Sequence, residues 1–265
     1  MISLVQLLRE AQGSPKAVIL AGAPGAGKGY ILRGLDLGGL KVMNVDDIYV
    51  PLLKKANVSL DLKNATPEER SEQAKQMAAA NKQFKGEMEQ IIAGKESFIL
   101  DGTAASYNTT AKLKNELDEA GYDVFMLYVY TDLERSLSQN QDRYIKSGGK
   151  DRSLAPAIVM RTWKSVTDNL PKYEELFGNN FVAVANTLDD RMQDIDKIIQ
   201  KYLKPFTPQG TKPKTPAQQK KSDERKAKDK EEIQAMLDDD FIYDVIEYTM
   251  SKEEAQMRLK QFLSK

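Results

Sequence analysis

The sequence predicts an α/β fold in which five mostly parallel strands form one sheet with helices on both faces. Five short apolar stretches alternate with longer segments of helical periodicity, which is the pattern of a parallel sheet with crossover helices. Apolar residues make up 41% of the 265 residues, enough for a packed core. The predicted strands are residues 16–22, 41–45, 97–103, 122–130 and 179–186.

The segments around these strands have the pattern of helices. Leu4, Leu7 and Leu8 recur at helical spacing, which predicts a short amphipathic helix over residues 2–11. The segment Thr66–Glu69 has the form of a capping box, where a helix begins. Further helices are predicted from about residue 27, within the polar segment 52–95, and over 109–121, 132–146 and 155–169.

The composition changes after residue 203. Residues 204–236 are rich in proline and lysine and poor in large apolar side chains, which predicts a linker, extended at first and helical further on. Residues 237–265 regain amphipathic patterning, and Ser251 with Glu254 predicts a helix start, so we expect a small helical hairpin there. The chain therefore divides into a core domain over 1–203, a linker over 204–236 and a C-terminal hairpin over 237–265. This tail either binds a protein or nucleic-acid partner or folds back on the core.

The composition also excludes several classes of chemistry. The chain has no cysteine and no histidine, so thiol nucleophiles, disulfides, Cys/His zinc sites and Ser-His hydrolases each lack an essential residue. A general base must be a carboxylate or, more rarely, a lysine or tyrosine. The 39 basic and 39 acidic residues balance, so no net charge draws the chain to nucleic acid or membrane. No apolar stretch approaches the length of a membrane span, and the first apolar run lacks the preceding basic segment of a secretion signal. We therefore expect a cytoplasmic protein that does not enter a membrane.

The stretch between the first strand and the next helix has the form of a phosphate-binding loop. Residues 22–28 fit the pattern G-x-x-x-x-G-K, in which backbone N–H groups turn inward around phosphates. Lys28 is predicted to bridge the outer phosphates of a nucleotide. The alternative is a glycine-rich turn that only connects strand and helix. The predicted nucleotide contacts are Gly22, Gly25, Ala26, Gly27, Lys28, Gly29 and Tyr30.

Gly29 stands where many such loops carry the hydroxyl that binds Mg²⁺. In this respect the loop resembles that of the nucleoside monophosphate kinases, G-x-P-G-x-G-K-G-T, although Tyr30 departs from their threonine. A second signal is Asp101 in "FILDGT", at the end of a buried strand, where phosphate-loop enzymes hold Mg²⁺, often through water. The alternative for Asp101 is a turn or helix-capping residue before Gly102.

A cation-rich segment follows the fourth predicted strand. It contains a Gly148–Gly149 hinge, and a mobile segment of this kind can close over a transferred phosphoryl group. Arginine suits this task because its planar fork matches phosphate oxygens. The alternative is an exposed helix with ordinary solvated charges. The cations are Arg135, Arg143, Lys146, Lys150 and Arg152.

Four motifs together resemble those of the zeta-toxin and polynucleotide-kinase group of P-loop kinases, and the resemblance covers residues 15–186. The motifs are the phosphate-binding loop, "NVDDIY", "ILDGT" and "DR…GGKDRSLAP". The resemblance implies that Asp46 deprotonates or orients an acceptor hydroxyl and that Asp47 completes a frequent Asp-Asp pair. Tyr49 stands where the family often has an arginine. The resemblance further implies an acceptor contact for Thr103, phosphate contacts for Arg143 and Arg152, and a base contact for Asn186.

These observations predict a kinase that transfers the γ-phosphoryl group of ATP, with Mg²⁺, to a hydroxyl acceptor. The acceptor-side segment 52–97 contains one arginine, Arg70, whereas a monophosphate acceptor needs several cations to hold it. A zeta-toxin-like role implies a nucleotide-sugar acceptor and an inhibitory protein partner, and a polynucleotide-kinase-like role implies a 5′-hydroxyl end. The alternatives are a nucleoside monophosphate kinase and a non-catalytic nucleotide-binding protein that docks a partner through its tail. The choice of ATP over GTP and the oligomeric state remain open.

Overall fold

A computed structural model of the chain describes residues 13–33, 40–62, 65–186, 215–238 and 249–264. The predicted helix over residues 2–11 and the first part of the predicted linker lie outside the described residues. All five predicted strands lie within them.

The five strands form one parallel sheet in the order β2-β3-β1-β4-β5, which confirms the predicted fold class. The central strand β1 pairs with β3 on one side and with β4 on the other, where Lys16 stands opposite Asp123. Because the chain crosses from β1 towards β2 in one direction and from β3 towards β4 in the other, the sheet has a topological switch point at the carboxyl ends of β1 and β3. The strands are β1 (Lys16–Ala21), β2 (Lys41–Met43), β3 (Phe98–Asp101), β4 (Asp123–Tyr130) and β5 (Phe181–Ala185).

Most described helices begin and end close to the predicted bounds. The predicted polar segment 52–95 is two helices, and the first of these begins earlier, at Asp46, directly after β2. Asp46 favours this start because its carboxylate lies at the positive end of the helix dipole. The helices are α1 (Lys28–Leu32), α2 (Asp46–Lys55), α3 (Pro67–Gly94), α4 (Tyr107–Glu119), α5 (Leu133–Lys146), α6 (Pro156–Asp168), α7 (Leu170–Phe177), α8 (Pro216–Asp238) and α9 (Lys252–Leu263), with a short 3₁₀ turn over Gly178–Asn180.

The core lies on both faces of the sheet because successive residues of β1 point to opposite sides. Ala17, Ile19 and Ala21 face one cluster, which is covered by α3, α4, α6 and α7. Val18 and Leu20 face the other, which is covered by α1 and α9. Both faces of the sheet are therefore buried, as the continuous apolar strands predict.

The described parts of the tail contact the core. Most of residues 216–238 were predicted to belong to a linker, and they form helix α8. Its Ile233 and Leu237 are buried in a cluster with Trp163 of α6. Helix α9 begins at the predicted cap, where Ser251 Oγ accepts from the N–H of Glu254 at 3.1 Å. The described tail thus folds back on the core, although the division of the chain into three regions remains a prediction.

Over the described ranges, every helix is too short or too polar to cross a membrane.

Candidate active site

A cleft of about 1240 Å³ opens at the carboxyl ends of β1, β2 and β3. One side, called here the loop wall, consists of residues 24–30 with Arg33, Asn186 and the inward face of α5. The other side, called here the strand wall, consists of Asn44, Val45, Asp46, Asp101, Gly102 and Thr103, with Arg152 and Leu154 reaching over it. Most of the residues predicted for the site therefore lie around one cleft.

The phosphate-binding loop has the tight backbone that its glycines allow. Gly22 has φ 145° and Gly25 has φ 79°, a left-handed region that other residues rarely adopt. A Cβ atom at Gly22 would lie 2.6 Å from the carbonyl oxygen of Val129, and one at Gly25 would lie 2.7 Å from that of Ser136. A Cβ atom at Gly29 would meet nothing within 4 Å, so packing does not require the glycine that replaces the usual hydroxyl.

Lys28 begins helix α1, and its half-buried side chain lies beneath the loop. Its Nζ donates to the carbonyl oxygens of Gly22 at 3.0 Å and Ala23 at 3.4 Å. Burial lowers the pKa of Lys28, and the charge of Asp101 opposes this effect. Arg143 lowers the pKa further and Asp46 raises it. The predicted phosphate lysine, metal carboxylate, base and lid arginine are therefore near enough to act on one another electrostatically.

Asn44, which the sequence reading missed, links the carboxylate of Asp101 to the backbone of Asp46. Its side-chain nitrogen donates to Asp101 Oδ2 at 3.0 Å, and its Oδ1 accepts from the backbone N–H of Asp46 at 2.9 Å. The contact is possible because β2 and β3 pair in parallel, with Met43 opposite Leu100. A polar residue directly after a strand and before an Asp-Asp pair is the signal that could have identified it.

Asp46 forms an ion pair with Arg152 of the lid segment. One guanidinium nitrogen lies 2.8 Å from both carboxylate oxygens, and the two side chains are 25% and 17% exposed, respectively. The guanidinium lies 5.8 Å from the ring centroid of Tyr49. Tyr49 is 3% exposed and its hydroxyl donates to the carbonyl of Gln73 at 3.3 Å. The tyrosine found where the family often has an arginine is therefore a core residue that supports Arg152.

The lid segment is tied at its far end to the acceptor-side segment. Gly148 and Gly149 both have positive φ, 62° and 77°, so the predicted glycine turn is present. Ser153 donates its N–H to the carbonyl of Leu60 at 3.1 Å and its hydroxyl to Asp61 at 2.9 Å. The Nε of Arg143 lies 3.5 Å from Asp151 of the lid segment, and its charge acts on Lys28 of the loop wall. The two predicted lid arginines thus have different partners.

Helix α5 also fixes the phosphate-binding loop, through polar residues that the sequence reading did not select. The hydroxyl of Ser136 donates to the carbonyl of Pro24 at 2.6 Å. The Gln139 amide, oriented so that both its atoms are satisfied, donates to the carbonyl of Gly25 at 2.7 Å and accepts from Arg135 Nε at 2.8 Å. Loop and lid helix therefore form one hydrogen-bonded unit.

Asn186 and Thr103 hold the loop from its two sides. The side-chain nitrogen of Asn186 donates to the carbonyl of Ala26 at 2.7 Å. The carbonyl of Thr103 accepts from the N–H of Gly22 at 3.1 Å. Both residues line the cleft. The base contact predicted for Asn186 and the acceptor contact predicted for Thr103 stay predictions.

Tyr30 lies at the rim of the cleft. Its side chain is 51% exposed, and its ring centroid is 3.9 Å from Lys252 Nζ of helix α9. The side chain of Gln256, also on α9, donates to the carbonyl of Ile31 at 2.7 Å. The last helix of the described chain therefore contacts the helix that begins at Lys28.

The residues present fit a water-bound Mg²⁺ better than a protein cage. Among the described residues, no group of three or more Asp, Glu, His or Cys side chains is arranged so that it could hold a metal ion by itself. Mg²⁺ in nucleotide sites usually keeps several waters and takes one or two carboxylates plus phosphate oxygens. Asp101 lies at the carboxyl end of β3 and lines the same cleft as the loop, so it is the carboxylate that would hold such an ion.

A family model described as Zeta toxin matches residues 4–198, about three quarters of the chain. The chain belongs to the zeta toxin family. No curated protein shows significant sequence similarity to this zeta toxin family member. The family and the five-stranded parallel sheet support a P-loop kinase.

Two solved structures of AvrRxo1-ORF1 with AvrRxo1-ORF2 share the fold of this zeta toxin family member. The one with sulphate ions has a TM-score of 0.52 and 15% identity, and covers 97% of this chain and 83% of that chain. The one with ATP has a TM-score of 0.51 and 15% identity, and covers 96% and 82%. A structure from the PezAT chromosomal toxin–antitoxin system of Streptococcus pneumoniae matches at a TM-score of 0.45 and 15% identity, and covers 85% and 88%.

Proposed function

We propose that the chain transfers the γ-phosphoryl group of ATP, with Mg²⁺, to the hydroxyl group of a small acceptor. The observation that carries this proposal is the position of Asp46. Asp46 lines the same cleft as the phosphate-binding loop, its backbone N–H is linked to the Asp101 carboxylate through Asn44, and its charge raises the pKa of Lys28. A carboxylate in this position can align an acceptor hydroxyl for attack on the terminal phosphate.

Each group has a role in this reaction. Backbone N–H groups of residues 25–29 and Lys28 bind the β- and γ-phosphates, and Asp101 holds the water shell of the metal. Asp46 accepts a hydrogen bond from the acceptor hydroxyl and orients it in line with the bond that breaks. Mg²⁺, when bound, neutralises charge on the β- and γ-phosphate oxygens.

Arg143 and Arg152 stabilise the charge that spreads over the transferred phosphoryl oxygens. Arg143 acts from the side of Lys28, and Arg152 acts from the side of Asp46. Because the transition state is loose, these charges contribute more than proton removal does.

The test is transfer of labelled γ-phosphoryl from ATP with Mg²⁺ to a panel of nucleosides, nucleoside monophosphates, sugars, nucleotide sugars and 5′-hydroxyl oligonucleotides. We expect label on a hydroxyl, reduced at least 100-fold by Asp46→Asn. Asp118→Asn is the matched control, because Asp118 is an exposed carboxylate of α4 that pairs with Lys114 at 2.7 Å. Transfer that survives Asp46→Asn unchanged would overturn the role of Asp46.

Two alternatives make different predictions in the same experiment. A nucleoside monophosphate kinase would label only monophosphates, on their phosphate group. A non-catalytic docking protein would bind ATP and label nothing, and its partner would bind through residues 204–265. The exposed first half of α8 is available for such a contact, and the AvrRxo1-ORF1 structures likewise hold a second protein.

A further inference from the structure

We infer that helix α9 of the C-terminal tail is part of the nucleotide site, and that its Lys252 and Gln256 are positioning residues for the binding of ATP. This inference rests on the proposed use of ATP and deepens it, because it gives the tail a role on the donor side of the cleft. Both residues lie outside the part of the chain that the family model matches, which ends at residue 198.

Helix α9 packs directly against the elements that form the phosphate-binding loop. Its Leu259 is fully buried, in the same apolar cluster as Ala26 of the loop and Ile31 of α1. Just before the helix, the N–H of Met250 donates to the carbonyl of Ala183 in β5 at 3.0 Å. The described part of the tail is therefore anchored both to the sheet and to the helix that follows the loop.

Gln256 holds the carboxyl end of α1. This helix spans only residues 28–32, little more than one turn. The last carbonyl groups of a helix have no partner within it, and so short a helix is unstable on its own in water. The side-chain nitrogen of Gln256 donates to the carbonyl oxygens of Ile31 at 2.7 Å and Arg33 at 3.4 Å. Gln256 thus fixes the far end of the helix whose first residue is Lys28.

Lys252 holds the side chain of Tyr30 at the mouth of the cleft. Tyr30 lines the cleft two residues after Lys28. Its ring centroid lies 3.9 Å from Lys252 Nζ and 5.6 Å from the guanidinium carbon of Arg33. A cation over an aromatic face is attracted by the ring quadrupole. The tyrosine that replaces the threonine of related loops therefore has a partner in the tail.

These contacts matter for ATP because phosphate binding by a loop depends on its geometry. Backbone N–H groups and a lysine bind phosphates well only if they are held close to the productive arrangement. Without Gln256, the end of α1 is expected to fray, so that Lys28 and the loop spend less time in that arrangement. The apparent affinity for ATP falls in proportion to the fraction of molecules that are competent to bind it.

The test measures the Kd of ATP with Mg²⁺ by calorimetry on the full chain, so it does not depend on phosphoryl transfer. We expect Gln256→Ala to raise this Kd about 3- to 10-fold, the effect of losing one neutral hydrogen bond. We expect Lys252→Met to raise it about 2- to 5-fold, the effect of losing an exposed cation–π contact. Lys252→Arg keeps a cation over the ring and is expected to restore most of the affinity.

Helix α9 offers matched controls for both changes. Lys260→Met and Gln261→Ala make the same chemical changes at exposed positions of the helix, and we expect neither to change the Kd. Lys252→Met is also made in a Tyr30→Ala background, where it is expected to have little further effect because Lys252 acts through the ring. Thermal unfolding without nucleotide identifies the variants that fold. If Gln256→Ala does not fold, the series at the half-buried Lys252 decides alone.

The outcomes separate this inference from the kinase proposal. An unchanged Kd in the folded Gln256 and Lys252 variants, or an equal change in the two controls, overturns the role of α9 and leaves the kinase proposal standing. An undiminished effect of Lys252→Met without the Tyr30 ring overturns the role of Lys252 as a positioning residue. ATP binding that depends on α9 without transfer to any acceptor overturns the kinase proposal and leaves the inference standing.

Discussion

Replacing Asn44 by alanine tests whether the two carboxylates of the strand wall work as a fixed pair. In the wild-type protein, Asn44 donates to Asp101 at 3.0 Å and accepts from the N–H of Asp46 at 2.9 Å. Alanine removes both hydrogen bonds. A hydrogen bond to a charged group contributes about 1.5–3 kcal/mol and a neutral one about 0.5–1.5 kcal/mol.

The expected effect on activity follows from where those contacts act. If about 1.4–2.8 kcal/mol of the lost interaction holds the carboxylates in their working positions, kcat falls roughly 10- to 100-fold. Because Asp101 loses the group that orients it, the Mg²⁺ concentration for half-maximal rate should rise as well. Stability should change less, because the site is partly exposed to water, and we expect Tm to fall by only about 2–4 °C.

The assay is steady-state phosphoryl transfer over a range of Mg²⁺ concentrations, with a thermal unfolding scan of each variant. Asn115→Ala is the matched control, since Asn115 is an exposed asparagine of α4. If Asn44→Ala keeps the wild-type kcat and the wild-type Mg²⁺ dependence, Asn44 does not position the carboxylates.

Three further predictions concern the loop and the strand wall. Lys28→Met should lower kcat by about 1000-fold or more, measured by single-turnover transfer, because the positive charge that neutralises the outer phosphates is lost. Asn186→Ala should weaken the binding of ATP and of GTP by similar factors, measured by calorimetry, because the Asn186 amide holds the carbonyl of Ala26 in the loop. A changed preference between the two nucleotides would instead support the predicted base contact. Asp47→Asn should stabilise the protein at neutral pH but not near pH 3. Folding raises the pKa of Asp47, so the stability that this group contributes is present below its ordinary pKa and is lost as the pH rises through the raised pKa. Urea unfolding at both pH values measures this difference, and equal effects at both would contradict it.

The local parts of the site were predictable because the sequence encodes them within a few residues. The loop 22–28 follows a buried strand and precedes a helix, and the structure has both elements. The neighbourhood of Asp46 and Asp101 was predictable as well, because the carboxyl ends of parallel strands meet at one edge of a sheet. For the same reason the fold class followed from the order of apolar and helical segments.

The contacts that depend on distant parts of the chain were not predictable. Arg152 and Asp46 are 106 residues apart, and their pairing depends on how the lid folds over α2. The burial of Tyr49 depends on α3 packing against α2, which no pattern near Tyr49 reveals. Helix α8 is highly charged, and its buried Ile233 and Leu237 occupy only its last turns, so its composition indicated a linker.

The position of Arg152 connects the two halves of the proposed reaction. In the structure Arg152 pairs with Asp46, and in the proposed reaction it would also stabilise the phosphoryl oxygens, so the same guanidinium would have two competing anions. Ser153, whose N–H donates to the carbonyl of Leu60, keeps the lid end beside the acceptor-side segment. The negative γ-phosphate would then draw Arg152 away and leave Asp46 unpaired at the moment an acceptor hydroxyl must be aligned. Release of Asp46 by ATP would therefore link acceptor alignment to the presence of the donor.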